Sequence, residues 1–135
     1  MNFEKALILG DARKVPVDIL RSKSIILSSK QAIATAKTII LTKESAKSIF
    51  RELYEGLREY CEALGYMKGY KFQNHESITF FIREILHEET LANKFDRYRK
   101  LRNGINYYGE TIEEETVKEA LKEIPELTKK LEKHT

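Results

Sequence analysis

Tryptophan is absent from this chain of 135 residues, there is one cysteine, and proline and glycine together are scarce, with two and six copies. Cys61 has no partner, so neither an internal disulfide nor a cage of thiolates around zinc can form, and its place in an apolar helical stripe reads as a buried structural thiol. So little proline and glycine leaves few breaks, which disfavours β-rich and disordered chains and favours long helices. The longest apolar runs, such as Ile25-Ile26-Leu27 and Ile39-Ile40-Leu41, fall far short of the roughly 20 residues that span a bilayer. Near the start, only Ala6 to Leu9 is apolar and Glu4 sits beside Lys5, unlike a secretory signal, so a cytoplasmic protein without a membrane partner is expected. Hydrophobic residues make up 41% of the chain, enough to build one core without staples, and the expectation is a single domain over residues 1–135.

Periodicity predicts five or six helices. A short one covers Asn2 to Leu9 and stops at Gly10-Asp11, and Pro16 stands where a second can begin. In that second helix Ile19, Ile26, Ile33 and Ile40 recur every seven residues, with Ser22, Ser29 and Ala36 in a parallel column of small residues and Lys23, Lys30 and Lys37 beside them. Three heptads suit a seam inside a bundle better than an extended coiled coil, and the small column lets a neighbour approach closely. Thr42 can cap a third helix, carried by Ile49, Phe50, Leu53, Leu57, Tyr60 and Leu64 and stopped at Gly65. Gly65 to Asn74 then reads as a loop packed by its own rings, Tyr66, Tyr70 and Phe72.

Beyond Asn74 one helix carries Ile78, Phe81, Ile82, Ile85 and Leu86. Another runs from about Thr90 to Tyr108, with Phe95, Tyr98, Leu101, Ile105 and Tyr108 inward and Gly109 as its stop. Thr111 and Glu114 have the spacing of a capping box for the last helix, and Pro125 predicts a kink or break in it. No segment alternates with period two for long enough to be a strand, so the fold expected is all-α, an antiparallel helical bundle.

The net charge of +3 does not by itself imply nucleic acid, but the charge is unevenly placed. Lys94 to Arg102 holds five basic residues and one acidic, and Glu110 to Glu119 holds five acidic and one basic. At about 100° per residue Arg99, Arg102 and Asn106 fall within an arc of about 60° at the border of the apolar stripe. Two roles suit such arginines: pairing with carboxylates on neighbouring helices, or meeting phosphate with packed stems and a fixed head. His75 is either a helix-start residue bonded locally or part of a cleft, His87 reads as a surface residue near a helix end, and His134 as frayed. No His, Cys or carboxylate cluster has metal-ligand spacing, and no cofactor is expected.

The run Arg97-Tyr98-Arg99-Lys100-Leu101-Arg102-Asn103-Gly104-Ile105-Asn106-Tyr107-Tyr108-Gly109 resembles the signature helix of the HEPN superfamily, small helical bundles marked by an Arg, a polar residue and then a His four to six positions after the Arg. Arg102 and Asn103 match the first two positions. Gly69-Tyr70-Lys71-Phe72-Gln73-Asn74-His75-Glu76 is similar to the lead into the preceding helix in prokaryotic members, and the likeness follows helix order through most of the chain. The resemblance implies a homodimer that brings two signature helices together, metal-independent RNA cleavage in catalytic members, and pairing with a separately encoded nucleotidyltransferase in toxin-antitoxin-type systems.

It also implies RNA or nucleotide binding through Arg99, Arg102, Asn103 and Asn106, with Tyr107 or Tyr108 offering a ring and His75 at the cleft. The chain departs from the signature at the histidine, since Asn106, Tyr107 and Tyr108 stand where it is due. Metal-free cleavage needs a base for the 2′-hydroxyl, an acid for the leaving oxygen and a cation for the charge on phosphorus, and Arg102 supplies only the last. A phenol titrating near pH 10 is ionised to roughly one part in a thousand at pH 7, a handicap of about 4 kcal/mol for a base. The expectation is therefore binding with weak or no ribonuclease activity; the alternatives are a metal-independent ribonuclease and a non-catalytic partner subunit of a nucleotidyltransferase. Tyr107 lies about 140° around a straight helix from Arg102, so joint use is expected to need loosening at Gly104 or a second subunit.

Overall fold

The computed structural model describes all residues, Met1–Thr135, and is an all-α bundle of six helices with one short ribbon. Helix α1 (Phe3–Leu9) is capped by Asn2, whose Oδ1 accepts from the Lys5 N–H at 2.8 Å. Strand β1 (Ala12–Lys14) leads to α2 (Ile19–Thr38), α3 (Ala46–Lys68), β2 (Tyr70–Phe72), α4 (Glu76–Glu84), α5 (Glu89–Tyr108) and α6 (Glu114–Leu131), followed by a 3₁₀ turn, Glu132–His134. No helix is long and apolar enough to cross a membrane.

Helices α2 and α3 make the tightest contact, and the reason is the small column in the heptads. Ser22, Ser29 and Ala36 are fully buried with Ile33 beside them. The Ser22 hydroxyl donates to the Ala63 carbonyl at 2.9 Å and the Ser29 hydroxyl to the Gly56 carbonyl at 2.5 Å. Seven residues forward on α2 match seven back on α3, so the pair is antiparallel, and each buried hydroxyl is satisfied by the facing helix. The isoleucine column does not form the seam as expected. Ile33 alone is buried, Ile26 is half-buried, Ile19 is exposed, and Ile40 lies past the helix end in solvent. Serine and alanine win the inner position because the backbones are too close for larger groups. Pro16 does not start α2 either; Asp18 caps it, accepting from the Arg21 N–H at 3.0 Å.

Other helix ends also depart from the reading of the sequence. Thr42 and Ser45 bond reciprocally, Ser45 N–H to Thr42 Oγ1 at 3.1 Å and Thr42 N–H to Ser45 Oγ at 2.8 Å, and Ser45 occupies the cap position before Ala46. Gly65 does not stop α3. It is buried within the helix, where a Cβ would sit 2.6 Å from the Phe72 ring, so its bareness makes room for that ring. The stop is Gly69, at φ 85°. The supposed loop is thus the last turn of α3 and β2, which pairs antiparallel with β1 in the register Ala12 with Phe72, Arg13 with Lys71 and Lys14 with Tyr70. Three-residue strands are too short to show an alternating pattern. Their rings pack outward from the segment, Tyr70 on Phe3 at 5.0 Å and Phe72 on Phe81 at 5.1 Å between centroids.

Gly109 ends α5 at φ 64°, but Tyr108 points to solvent rather than inward. Thr111 makes no capping bond, since α6 begins after Glu113 in extended backbone. Pro125 lies inside an unbroken α6, held by Ile124, Leu127 and Leu131 buried on either side of it. His134 is not frayed; its Nε2 is buried 3.5 Å from Glu88 Oε1. His87 is exposed just past α4, as expected. Cys61 is fully buried, and burial pushes its thiol well above the ordinary range, which makes it inert.

The α2–α3 seam yields a direct test. A Cβ on Gly56 would lie 2.6 Å from Ile33 Cγ1 and 3.0 Å from the Ser29 carbonyl oxygen. Overpacking costs roughly 1–3 kcal/mol, and about 1 is recovered as helix propensity. Gly56→Ala is expected to lower stability by up to about 2 kcal/mol in urea unfolding, whereas Ser28→Ala on the outer face is expected to leave it unchanged.

Candidate phosphate-binding groove

Where the start of α4 meets the C-terminal half of α5, a groove of about 410 Å³ opens, lined by Gln73, Asn74, His75, Glu76, Arg99, Arg102, Asn103 and Tyr107. Five of the six residues singled out in the sequence meet there. The sixth, Asn106, is turned towards α3, where its Oδ1 accepts from Arg51 Nε at 3.1 Å. Tyr108 does not line the groove.

The two arginines play different parts. Arg99 donates Nε and a terminal nitrogen to Asp96 Oδ1 at 2.9 and 2.8 Å and reaches Glu76 at 3.7 Å, so carboxylates already claim its head. Asp96 also takes Lys100 at 3.2 Å and the Thr79 hydroxyl at 3.1 Å, and the cations and donors around it hold its carboxyl below the usual range despite its partial burial. Lys94 pairs with Glu123 and Arg97 with Glu119. The concentration of basic residues on α5 is thus largely neutralised by its neighbours. Arg102 is the exception: it has no carboxylate partner.

What holds Arg102 instead is aromatic. Its guanidinium lies 5.9 Å from the centroid of Tyr54 and 5.5 Å from that of Tyr107, and it donates to the Tyr107 hydroxyl at 3.3 Å. The two side chains bridge the angle between their positions by length alone, with no break in α5 at Gly104 and no second subunit. Both rings leave the charge unneutralised, which suits a site for an anion.

Tyr54 is not legible in the sequence as a site residue, because one more aromatic beside the apolar positions of α3 carries no signal of its own. It is core, fully buried and stacked 5.9 Å from Phe95, but its hydroxyl meets His75 Nδ1 at 2.9 Å. Burial pushes the phenol well above its ordinary pKa, so it stays protonated. Nδ1 is the one partner of this hydroxyl, and we assign the phenol as donor, which puts the ring proton of His75 on Nε2. His75 is pushed down to about 4, first by burial, then by the Arg58 and Arg102 cations with a smaller push from Arg99, against the opposing pull of Glu55. Arg58 itself is clamped between Glu55 and Glu62 one turn either side on α3. At neutral pH His75 is an uncharged hydrogen-bond donor.

These shifts predict a pH dependence. An unfolded chain takes up the histidine proton near pH 6.5, whereas the folded chain does so only near pH 4, so between these values the unfolded state binds more protons and stability falls as pH falls. Urea unfolding of wild type and His75→Gln is expected to show wild type losing ground to the variant from pH 6.5 down to 4, with a constant difference above pH 7. In Arg102→Gln the His75 ring is expected to titrate higher by NMR, since one of its neighbouring cations is gone.

Compared with protein-family models, with curated proteins and with solved structures, the chain matches none, so the chemistry of the groove itself has to carry the functional argument.

Proposed function

We propose that this chain is a HEPN-like protein that binds RNA or a nucleotide through phosphate in the groove between α4 and α5, and that it has little or no ribonuclease activity of its own. The observation that carries the reading is Arg102, the arginine of α5 left without a carboxylate, fixed by two rings at the edge of a polar groove. A guanidinium in that state presents its fork to phosphate without first breaking an ion pair. Asn103 supplies a carboxamide for phosphate or sugar, His75 an Nε2–H donor, and the exposed ring of Tyr107 a face on which a base can stack. Arg99, held by Asp96 and Glu76, shapes the wall and adds field.

Binding and cleavage separate on proton transfer. With its ring proton on Nε2 and a pKa of about 4, His75 is a donor at neutral pH, and to act as a base it must exchange tautomers against the Tyr54 hydrogen bond. The second reading, a metal-independent ribonuclease, is favoured by the fact that His75 does share the groove with Arg102. A homodimer that apposes two α5 helices would complete the site, and the exposed Tyr107 and Tyr108 at the end of α5 offer a surface for it. The same reading leaves room for a separately encoded nucleotidyltransferase as partner.

Fluorescence anisotropy with a labelled single-stranded RNA, in chelator, tests the proposal. Arg102→Ala is expected to weaken binding at least tenfold, the weight of a charge-assisted contact of about 1.5–3 kcal/mol, and wild type is expected to leave the RNA uncut over hours. Equal affinity in Arg102→Ala would overturn the binding site. Brisk cleavage abolished in both Arg102→Ala and His75→Ala would establish the ribonuclease instead. Light scattering is expected to show a dimer; a monomer at high micromolar concentration would remove that part.

A further inference from the structure

We infer that the groove is one end of a longer track, and that a second basic cleft across the β-ribbon binds the same single-stranded RNA further along its backbone. The inference rests on the RNA-binding reading above. The second cleft, also about 410 Å³, lies between the ribbon, the extended segment before α2 and the end of α3, and its polar lining is Arg13, Lys14, Arg21, Lys71 and Tyr66 with one acid, Asp18. The Asp18 carboxylate already accepts from the Arg21 N–H as the cap of α2.

Three observations point to a polyanion. Arg13 and Lys71 stand directly opposite each other in the antiparallel ribbon, so they share its outer face. Like charges in that position repel, and no carboxylate lies within ion-pair reach of either. An anion along the ribbon relieves the repulsion. The Arg21 guanidinium lies 4.6 Å above the centroid of Tyr66, a stacked pair at the cleft wall of the kind that receives bases. And α2, a helix of 20 residues, opens at this cleft, which Asp18 and Arg21 line, with no acidic residue in its first turn besides the cap acid.

One hydrogen-bonded pair links the linings of the two clefts. With its amide oxygen towards Arg13, Gln73 accepts from Nε at 3.0 Å and from a terminal nitrogen at 2.9 Å, and Gln73 also lines the Arg102 groove. From Lys71 to His75 the chain advances four residues, at most roughly 13 Å at strand spacing, so the two basic clusters can serve one short strand. The occupant that fits is flexible, polyanionic and carries flat bases, a single-stranded RNA rather than a mononucleotide.

The test compares a labelled RNA of about 12 nucleotides with one of about 3, the longer able to span both clefts. Lys71→Ala and Arg21→Ala, each checked for an unchanged thermal midpoint, are expected to weaken the long RNA several-fold and to reduce its salt slope by about 0.7 for each phosphate no longer neutralised, leaving the short RNA unaffected. Lys71→Glu should deepen the loss, and Lys130→Ala on α6 should do nothing. Arg102→Ala should weaken both RNAs. If Arg102→Ala weakens both while the cleft variants bind the long RNA like wild type, the groove stands and the track is overturned. If neither RNA binds wild type, the RNA-binding reading falls and the track with it. Sedimentation with phosphatidylserine vesicles that Lys71→Glu abolishes, with RNA affinity unchanged, would reassign the cleft to a membrane surface and overturn the inference.

Discussion

Tyr54 is the side chain on which both the core and the groove depend. Its ring sits in the middle of α3 against Phe95, so it helps to fix where α5 lies. The same ring lies under the Arg102 guanidinium, and its hydroxyl sets the tautomer of His75 at the start of α4. One residue therefore ties three helices to one another at the point where they expose polar groups. A buried phenol needs a partner for its hydroxyl, and here that requirement is met by the one histidine of the groove. The geometry of the site follows from the packing of the core.

Charge is managed on the same principle of local pairing. A segment with five cations looks in one dimension like a basic patch, but folding brings Glu123 and Glu119 against Lys94 and Arg97, and Asp96 within the segment takes Arg99 and Lys100. What remains is a single arginine rather than a diffuse field. A small net charge is then compatible with the proposed anion site, because one guanidinium with rings for neighbours is open to phosphate where several already engaged with carboxylates are not.

Patterns that depend on one helix at a time are legible in the sequence: the six helical segments, the small column of α2, the stop at Gly109 and the placement of Arg102 at the border of the core. Patterns that depend on two segments meeting are not. The isoleucine heptad looks like the seam because hydrophobicity outranks size on paper, yet the backbone spacing of α2 and α3 selects serine and alanine. Gly65 reads as a stop because its reason for lacking a side chain, the Phe72 ring, lies across a turn. The ribbon is too short for any alternation, and Tyr54 is one aromatic beside the apolar positions of α3 with nothing in the sequence to mark it. Asn106 escapes for the opposite reason: an arc of about 60° is a coarse filter, and Arg51 on α3 captures its carboxamide.

Burial also bears on the proposal that this groove, with a histidine and an arginine side by side, binds rather than cleaves. A base for the 2′-hydroxyl works best when its pKa lies near the working pH. The packing that holds His75 firmly enough to aim it also strips its water, and Arg58, Arg102 and Arg99 add positive charge on the same side, so its pKa moves down to about 4. Making His75 a better base would mean removing cations, Arg102 among them, or loosening the Tyr54 contact that orients the ring. Each such change takes away part of the proposed binding site. A phosphate bound at Arg102 acts in the other direction: it places negative charge beside the ring, favours the protonated imidazolium, and in doing so strengthens its own hold through a charged donor. In the proposed binding role His75 therefore gains positive charge as the anion arrives.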